Sequence, residues 1–191
     1  MPKERLVAFT DGVIAVIITI MVLELKVPHG ADIASLHPLY PVFLSYVLSF
    51  VYIGIYWNNH HHMFQAAEFV SGRILWLNLH LLFWLSLIPF ATGWMGEHLT
   101  ASIPVAAYGF VLLFSAIAYT ILAIALIAHH GADSLVSNTS GPKLKGMLSI
   151  CLYVTAIALA FVNPWISGIL YVAVALAWFI PERQIERALA D

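Results

Sequence analysis

The sequence predicts an all-α integral membrane protein with six transmembrane helices per subunit, forming a single domain over 1–191. Three observations carry that prediction. First, 62% of the residues are hydrophobic and 9% charged, with a mean hydropathy of +0.92. A soluble domain carries roughly a quarter charged residues, so this chain cannot cover itself with polar surface. Second, its apolar residues gather into runs close to the roughly 20 residues that cross a hydrocarbon core. Third, its Lys and Arg residues sort by loop, as they do when spans alternate in direction.

The runs are 7–26, 39–62, 74–94, 104–128, 145–162 and 164–180. Pro28, His29 and Gly30 end the first, and Pro38 and Pro41 open the second. Pro89 lies inside the third and is a candidate kink. Gly93 and Gly96 loosen the end of that span, and Pro104 starts the fourth. The stretch HHGADSLVSNTSGPKLKG (129–146) is the most polar loop, and Asn163–Pro164 makes a tight turn between the last two spans. The charged PERQIERALAD tail is expected to continue the sixth helix into solvent. Tyr40, Trp57, Trp76, Trp94, Trp165 and Trp178 lie near span ends, where amphipathic rings anchor at the interface. The N-terminal residues do not read as a cleavable signal peptide. Their apolar run continues past any small-residue cleavage site and ends in Glu24 and Lys26.

With six spans, Lys3, Arg5, Arg73, Lys143, Lys145, Arg183 and Arg187 share one side, and only Lys26 faces the other. The positive-inside rule then puts both termini in the cytoplasm. A net charge of −2 argues against a nucleic-acid partner. The single Cys151 allows neither an internal disulfide nor a cysteine metal cluster.

The first span carries the features that membrane packing alone does not require. Residues three, four and seven apart share a helical face, so Val16, Thr19, Ile20 and Leu23 form one stripe that Gly12 and Phe9 extend. Copies of that stripe around an axis would make an apolar constriction with one hydroxyl ring. The same stripe also suits ordinary packing. Asp11 sits at membrane depth, where an ionisable group costs about 2.5–3.5 kcal/mol on insertion scales and is normally paired. Arg5 lies about 120° away around a straight helix, so the donors are expected on a neighbouring helix. The segment YWNNHHHMF (56–64) closes the same end of span two and offers Asn58, Asn59 and His60 to His62. Three adjacent histidines point about 100° apart and cannot all chelate one metal from a regular helix. His80 in span three could pair with a histidine of span two across a haem. No TVGYG-like carbonyl filter is present.

Arg5-Leu-Val-Ala-Phe9-Thr10-Asp11, followed by GVIAVIITIMVLELKVP, resembles the RxxxFSD signature of the transmembrane protein 175 family. That is a family of potassium channels in lysosomes and prokaryotic membranes. The resemblance takes in YWNNHHHMF and the six-span plan; Thr10 replaces the usual Ser and keeps its hydroxyl. It implies a homotetramer of single six-helix units with the first helix lining a central pore, whereas animal relatives pair two double units. It places the pore constriction at Val16, Ile20 and Leu23 and a permeation-related hydroxyl layer at Thr19. Val16 is smaller than the Ile or Leu common in the family. The signature is implied to brace the helices around the pore, with Arg5, Phe9, Thr10, Asp11, Asn59 and His61 as the candidate network.

The function so implied is a potassium-selective, leak-type channel in the prokaryotic plasma membrane, passing monovalent cations through a bilayer-embedded homotetramer. No enzymatic activity, metal, cofactor or nucleic acid is expected. Three other readings stay open at this point. One is a proton-coupled carrier or proton channel using Asp11 and the histidine cluster. The others are a membrane haem protein and a purely structural membrane protein.

Overall fold

The computed structural model describes residues 2–131 and 143–179, and every regular element among them is helical. In order they are α1 (Glu4–Leu23), a 3-10 helix (Ile33–Leu39), α2 (Tyr40–Gln65), α3 (Gly72–Ser86), α4 (Ile88–Glu97), α5 (Ser102–His130), α6 (Lys143–Ala160) and α7 (Pro164–Phe179). An apolar solvent leaves the backbone no partner but itself, so long apolar runs must close their own hydrogen bonds as helices. Four units are long and apolar enough to cross a membrane: α1, the 3-10 helix with α2, α3 with α4, and α5. The remaining two, 145–160 and 164–179, are apolar and shorter. The six runs expected from the sequence are therefore all helical. The tail after Phe179 and most of the polar 129–146 stretch lie outside the described residues.

Local chemistry sets the ends. Asp32 caps the 3-10 helix, accepting the Ser35 N–H at 3.1 Å. Ser71 does the same for α3 through Ile74 at 3.4 Å, and Asn163 for α7 through Trp165 at 3.0 Å. Pro164 takes the first position of α7, where a missing N–H costs nothing. Gly131 ends α5 at φ 97°, a conformation that disfavours any residue with a Cβ.

Two boundaries differ from the sequence reading. α1 runs three residues earlier at both ends than 7–26. Lys3 Nζ donates to the carbonyls of Gln65 (2.9 Å) and Ala67 (2.5 Å), which draws the chain before the apolar run into the helix. At the other end, Lys26 reaches away to Glu97. The third span is two helices meeting at Leu87, because Pro89 has no N–H to offer the carbonyl a turn behind it. Leu87 itself keeps helical dihedrals, so the two halves form one interrupted span.

α1 packs on α2, α3 and α4; α5 packs on α3, α4 and α6; α7 closes against α6 and α2. The interior holds more than hydrocarbon. Ser49 Oγ lies 2.6 Å from Thr92 Oγ1 and 2.9 Å from the Tyr108 hydroxyl. Tyr52 donates to the Tyr171 carbonyl at 2.6 Å, and Tyr171 to that of Val105 at 3.1 Å. These buried hydroxyls are satisfied across helices, as the dry interior demands. Two glycines permit the closest approaches. A Cβ on Gly96 would stand 2.9 Å from the Val42 Cα, and one on Gly109 would overlap the Tyr171 ring.

Candidate functional site

α1 is an edge helix with two distinct faces. Leu6, Thr10, Ile14, Ile17 and Met21 recur at three- and four-residue steps and are buried. Phe9, Val16, Ile20 and Leu23 are 53%, 54%, 43% and 81% exposed, and Gly12 and Thr19 are exposed with them. The centres of the two faces lie about 130° apart at 100° per residue. The stripe read from the sequence thus points away from the subunit's own core. Thr19 Oγ1 donates to the Val16 carbonyl at 2.9 Å, so its proton is used within the helix and its lone pairs face outward.

A groove of about 1000 Å³ runs beside this face, between α1 and α4. Phe9, Gly12, Val16 and Ile20 form one wall and Phe90 and Trp94 the other. Glu24, Lys26 and Glu97 stand at one end of the groove, where Lys26 Nζ lies 2.5 Å from Glu97 Oε1. That hydrogen bond and the opposite charge hold the Lys26 ammonium above its ordinary range.

The signature residues separate into two groups. Thr10 faces inward and accepts the Asn78 amide N–H at 2.8 Å, and Asn78 Oδ1 lies 2.9 Å from His60 Nε2. All three are buried, so α1, α2 and α3 are tied together by one short polar chain. Asp11 lies at the margin of the helix packing, and its Oδ1 accepts the Trp57 indole N–H at 3.0 Å. The donor does come from the YWNNHHHMF segment on the neighbouring helix, but it is Trp57 and not Asn59 or His61. His61 stacks on the Trp57 ring, with centroids 6.0 Å apart. Asn59 turns back to the Ile55 carbonyl at 2.9 Å. Arg5 and Phe9 are exposed, and Arg5 has no ion pair among the described residues.

Asn78 was not singled out in the sequence. The signal was an amide in the middle of an apolar span, which needs a partner inside the bundle. The contacts also bear on the alternatives. Asp11 meets an indole, and no hydrogen bond joins it to a histidine among the described residues. His80 accepts the Trp84 indole N–H at 3.0 Å on its own helix, while His60 engages Asn78. No group of three or more His, Cys, Asp or Glu able to hold a metal occurs among the described residues.

Comparison with known proteins places this arrangement. The family model described as endosomal/lysosomal potassium channel TMEM175 matches residues 5–89. A potassium channel from a Chryseobacterium species is 54% identical over 191 residues, covering 100% of both chains. One from Chamaesiphon minutus is 31% identical over 189 residues, covering 88% of this chain and 89% of the other. The human endosomal/lysosomal proton channel TMEM175 is 32% identical over 101 residues, which cover 47% of this chain and 20% of that protein. Among solved structures, a lysosomal potassium-selective channel TMEM175 homolog from Chamaesiphon minutus superposes with a TM-score of 0.80 at 29% identity. The match covers 92% of this chain and 95% of that one. These relatives are channels and not enzymes. A multi-pass helical protein with this signature helix and these relatives belongs to the TMEM175 family.

Proposed function

We propose that the protein is a potassium-selective, leak-type channel of the bacterial plasma membrane. Four subunits surround one pore, α1 lines it, and both termini are cytoplasmic. The observation that carries this reading is the outward face of α1. In a lone subunit it leaves an apolar stripe with a central hydroxyl beside an open groove. The names of the bacterial relatives and the shared fold support the ion and the architecture.

Conduction then needs no carbonyl filter. Val16, Ile20 and Leu23 repeat around the axis as apolar rings. Narrow apolar rings exclude water, and a small rotation or widening of α1 wets them. Thr19 adds a ring of outward lone pairs between two of those rings, where a partly dehydrated cation finds oxygen ligands. Sodium holds its water more tightly than potassium, so a constriction that strips water favours the larger ion. Thr10–Asn78–His60 and Asp11–Trp57 set the angle at which α1 leaves the subunit.

Cysteine block tests the pore face. Cys151 is exposed and is first replaced by Ser. Cysteines at Val16, Ile20 and Leu23 are then treated with a small thiol reagent during bilayer recording. Current blocked at those positions, and untouched with cysteine at Val22 on another face, is the expected result. Block at Val22 with none at the stripe would remove this face from the pore.

A further inference from the structure

α5 ends in His129 and His130, on the face of the molecule that carries the N terminus and the turn between α2 and α3. The His130 ring engages two elements at once. Its Nε2 accepts the backbone N–H groups of Glu68 at 3.1 Å and Phe69 at 3.4 Å. Its Nδ1 lies 3.0 Å from the Leu126 carbonyl oxygen. A backbone N–H only donates and a carbonyl only accepts. The ring must therefore carry a lone pair at Nε2 and its proton at Nδ1, the neutral form of one defined tautomer.

Protonation reverses this contact, because an imidazolium carries N–H at both nitrogens. Nε2–H would then point at two backbone N–H groups, with no acceptor among the three. The same turn holds the first helix from its other side. Lys3 donates to the carbonyls of Gln65 and Ala67, Pro2 bridges to Phe69, and α1 begins at Glu4. A turn pinned to α5 by His130 thus anchors the N-terminal end of α1.

We propose that His130 is a pH-sensitive latch, in which the neutral ring holds the 66–71 turn against α5 and protonation releases it, freeing the anchored end of α1. The effect on current rests on α1 lining the pore; the latch itself does not. The charged and titratable side chains on the elements gathered here are His129 on α5, Glu68 on the turn, His61 and His62 toward the end of α2, Lys3, Glu4 and Arg5 at the start of α1, Arg73 at the start of α3, and Lys145 on α6, which packs on α5. His129 stands edge-on to His130, with ring centroids 5.2 Å apart, and takes no comparable pair of N–H donors among the described residues. The latch requires the neutral ring, so acid that adds a second ring proton undoes it. A freed α1 lets its apolar face close on its copies, which narrows and dries the constriction.

The test combines hydrogen exchange with recording on reconstituted protein. The pH of one bath at a time is lowered from about 7.5 to about 5.5. In the wild type, exchange protection of the Glu68 and Phe69 amides, corrected for intrinsic rate, falls by about tenfold or more. Current falls by about threefold or more, and only when acid reaches the face bearing the N terminus. His130→Gln keeps a carbonyl acceptor that does not titrate, and both responses flatten. His129→Gln retains both. Lys3→Gln keeps the exchange response and loses the current response. Equal protection at both pH values in the wild type, or an unchanged acid response in His130→Gln, would overturn the latch. If His130→Gln fails to fold, the wild-type exchange titration and His129→Gln decide the matter. Folded protein that carries no current strikes the channel reading, while the exchange measurement still tests the latch.

Discussion

Thr10 offers a quantitative handle on how α1 is held. Its side chain is fully buried and accepts the Asn78 amide N–H at 2.8 Å. Valine has nearly the same shape, so Thr10→Val keeps the side chain's bulk and removes the hydroxyl that accepts this bond. Asn78 is 2% exposed, and its N–H is then left buried and unpaired. An orphaned buried donor costs about 1–3 kcal/mol. Side-chain hydrogen bonds between membrane helices average nearer 0.6 kcal/mol, because the unfolded chain in the membrane finds other partners. The expected cost is about 1–2 kcal/mol, or roughly 2–8 °C in apparent melting temperature for a chain of this size. The assay is a double-mutant cycle with Asn78→Leu, read by thermal unfolding in detergent. With Asn78 gone there is no donor to strand, so Thr10→Val should cost nearly nothing in that background. Equal costs in both backgrounds would refute the claim that this hydrogen bond ties α1 to α3.

Three further outcomes are expected. Gly96→Ala puts a methyl group 2.9 Å from the Val42 Cα, where backbone must move. It should destabilise by about 1–3 kcal/mol in the same melting assay, and a neutral result would mean that α4 and α2 have room to part. Thr19→Val should lower potassium permeability or selectivity, and Leu23→Ser should make the pore leakier; unchanged currents in both variants would take α1 out of the pore. The Lys26–Glu97 pair predicts a pH window: the Lys26 ammonium is raised, so the pair persists at neutral pH and fails as the pH rises through a value above the ordinary lysine range. A side-chain nitrogen titration of Lys26 should show that high midpoint, falling in Glu97→Gln, whereas a midpoint below the ordinary range would mean the pair does not form.

Hydropathy alone placed the helical runs, because a membrane protein's backbone has few other options in an apolar solvent. Pro89 marked the break in the third span because its missing N–H is visible in the sequence. The three-residue shift of α1 was not readable, since it depends on Lys3 meeting carbonyls more than sixty residues away. The stripe on α1 was readable as a face but not as an exposed face; that depends on which side α2, α3 and α4 cover. The partner of Asp11 was readable to the segment and not to the residue. On a regular helix Trp57 and His61 lie about 40° apart, while Asn59 lies about 160° from Trp57. Asn59 therefore faces another direction, and the longer indole reaches the carboxylate ahead of His61. Asn78 gave only the general signal of a polar group in an apolar span, with nothing to name Thr10 and His60 as its partners.

The most direct test of the channel assignment is the reversal potential of the purified protein in a planar bilayer, with potassium on one side and sodium on the other. A potassium-selective pore shifts that potential toward potassium equilibrium, by about 59 mV for each tenfold preference. Current reversing near zero would contradict the selectivity, and Val16 would be the first residue to vary. Intact protein carrying no current from either bath would contradict the channel itself.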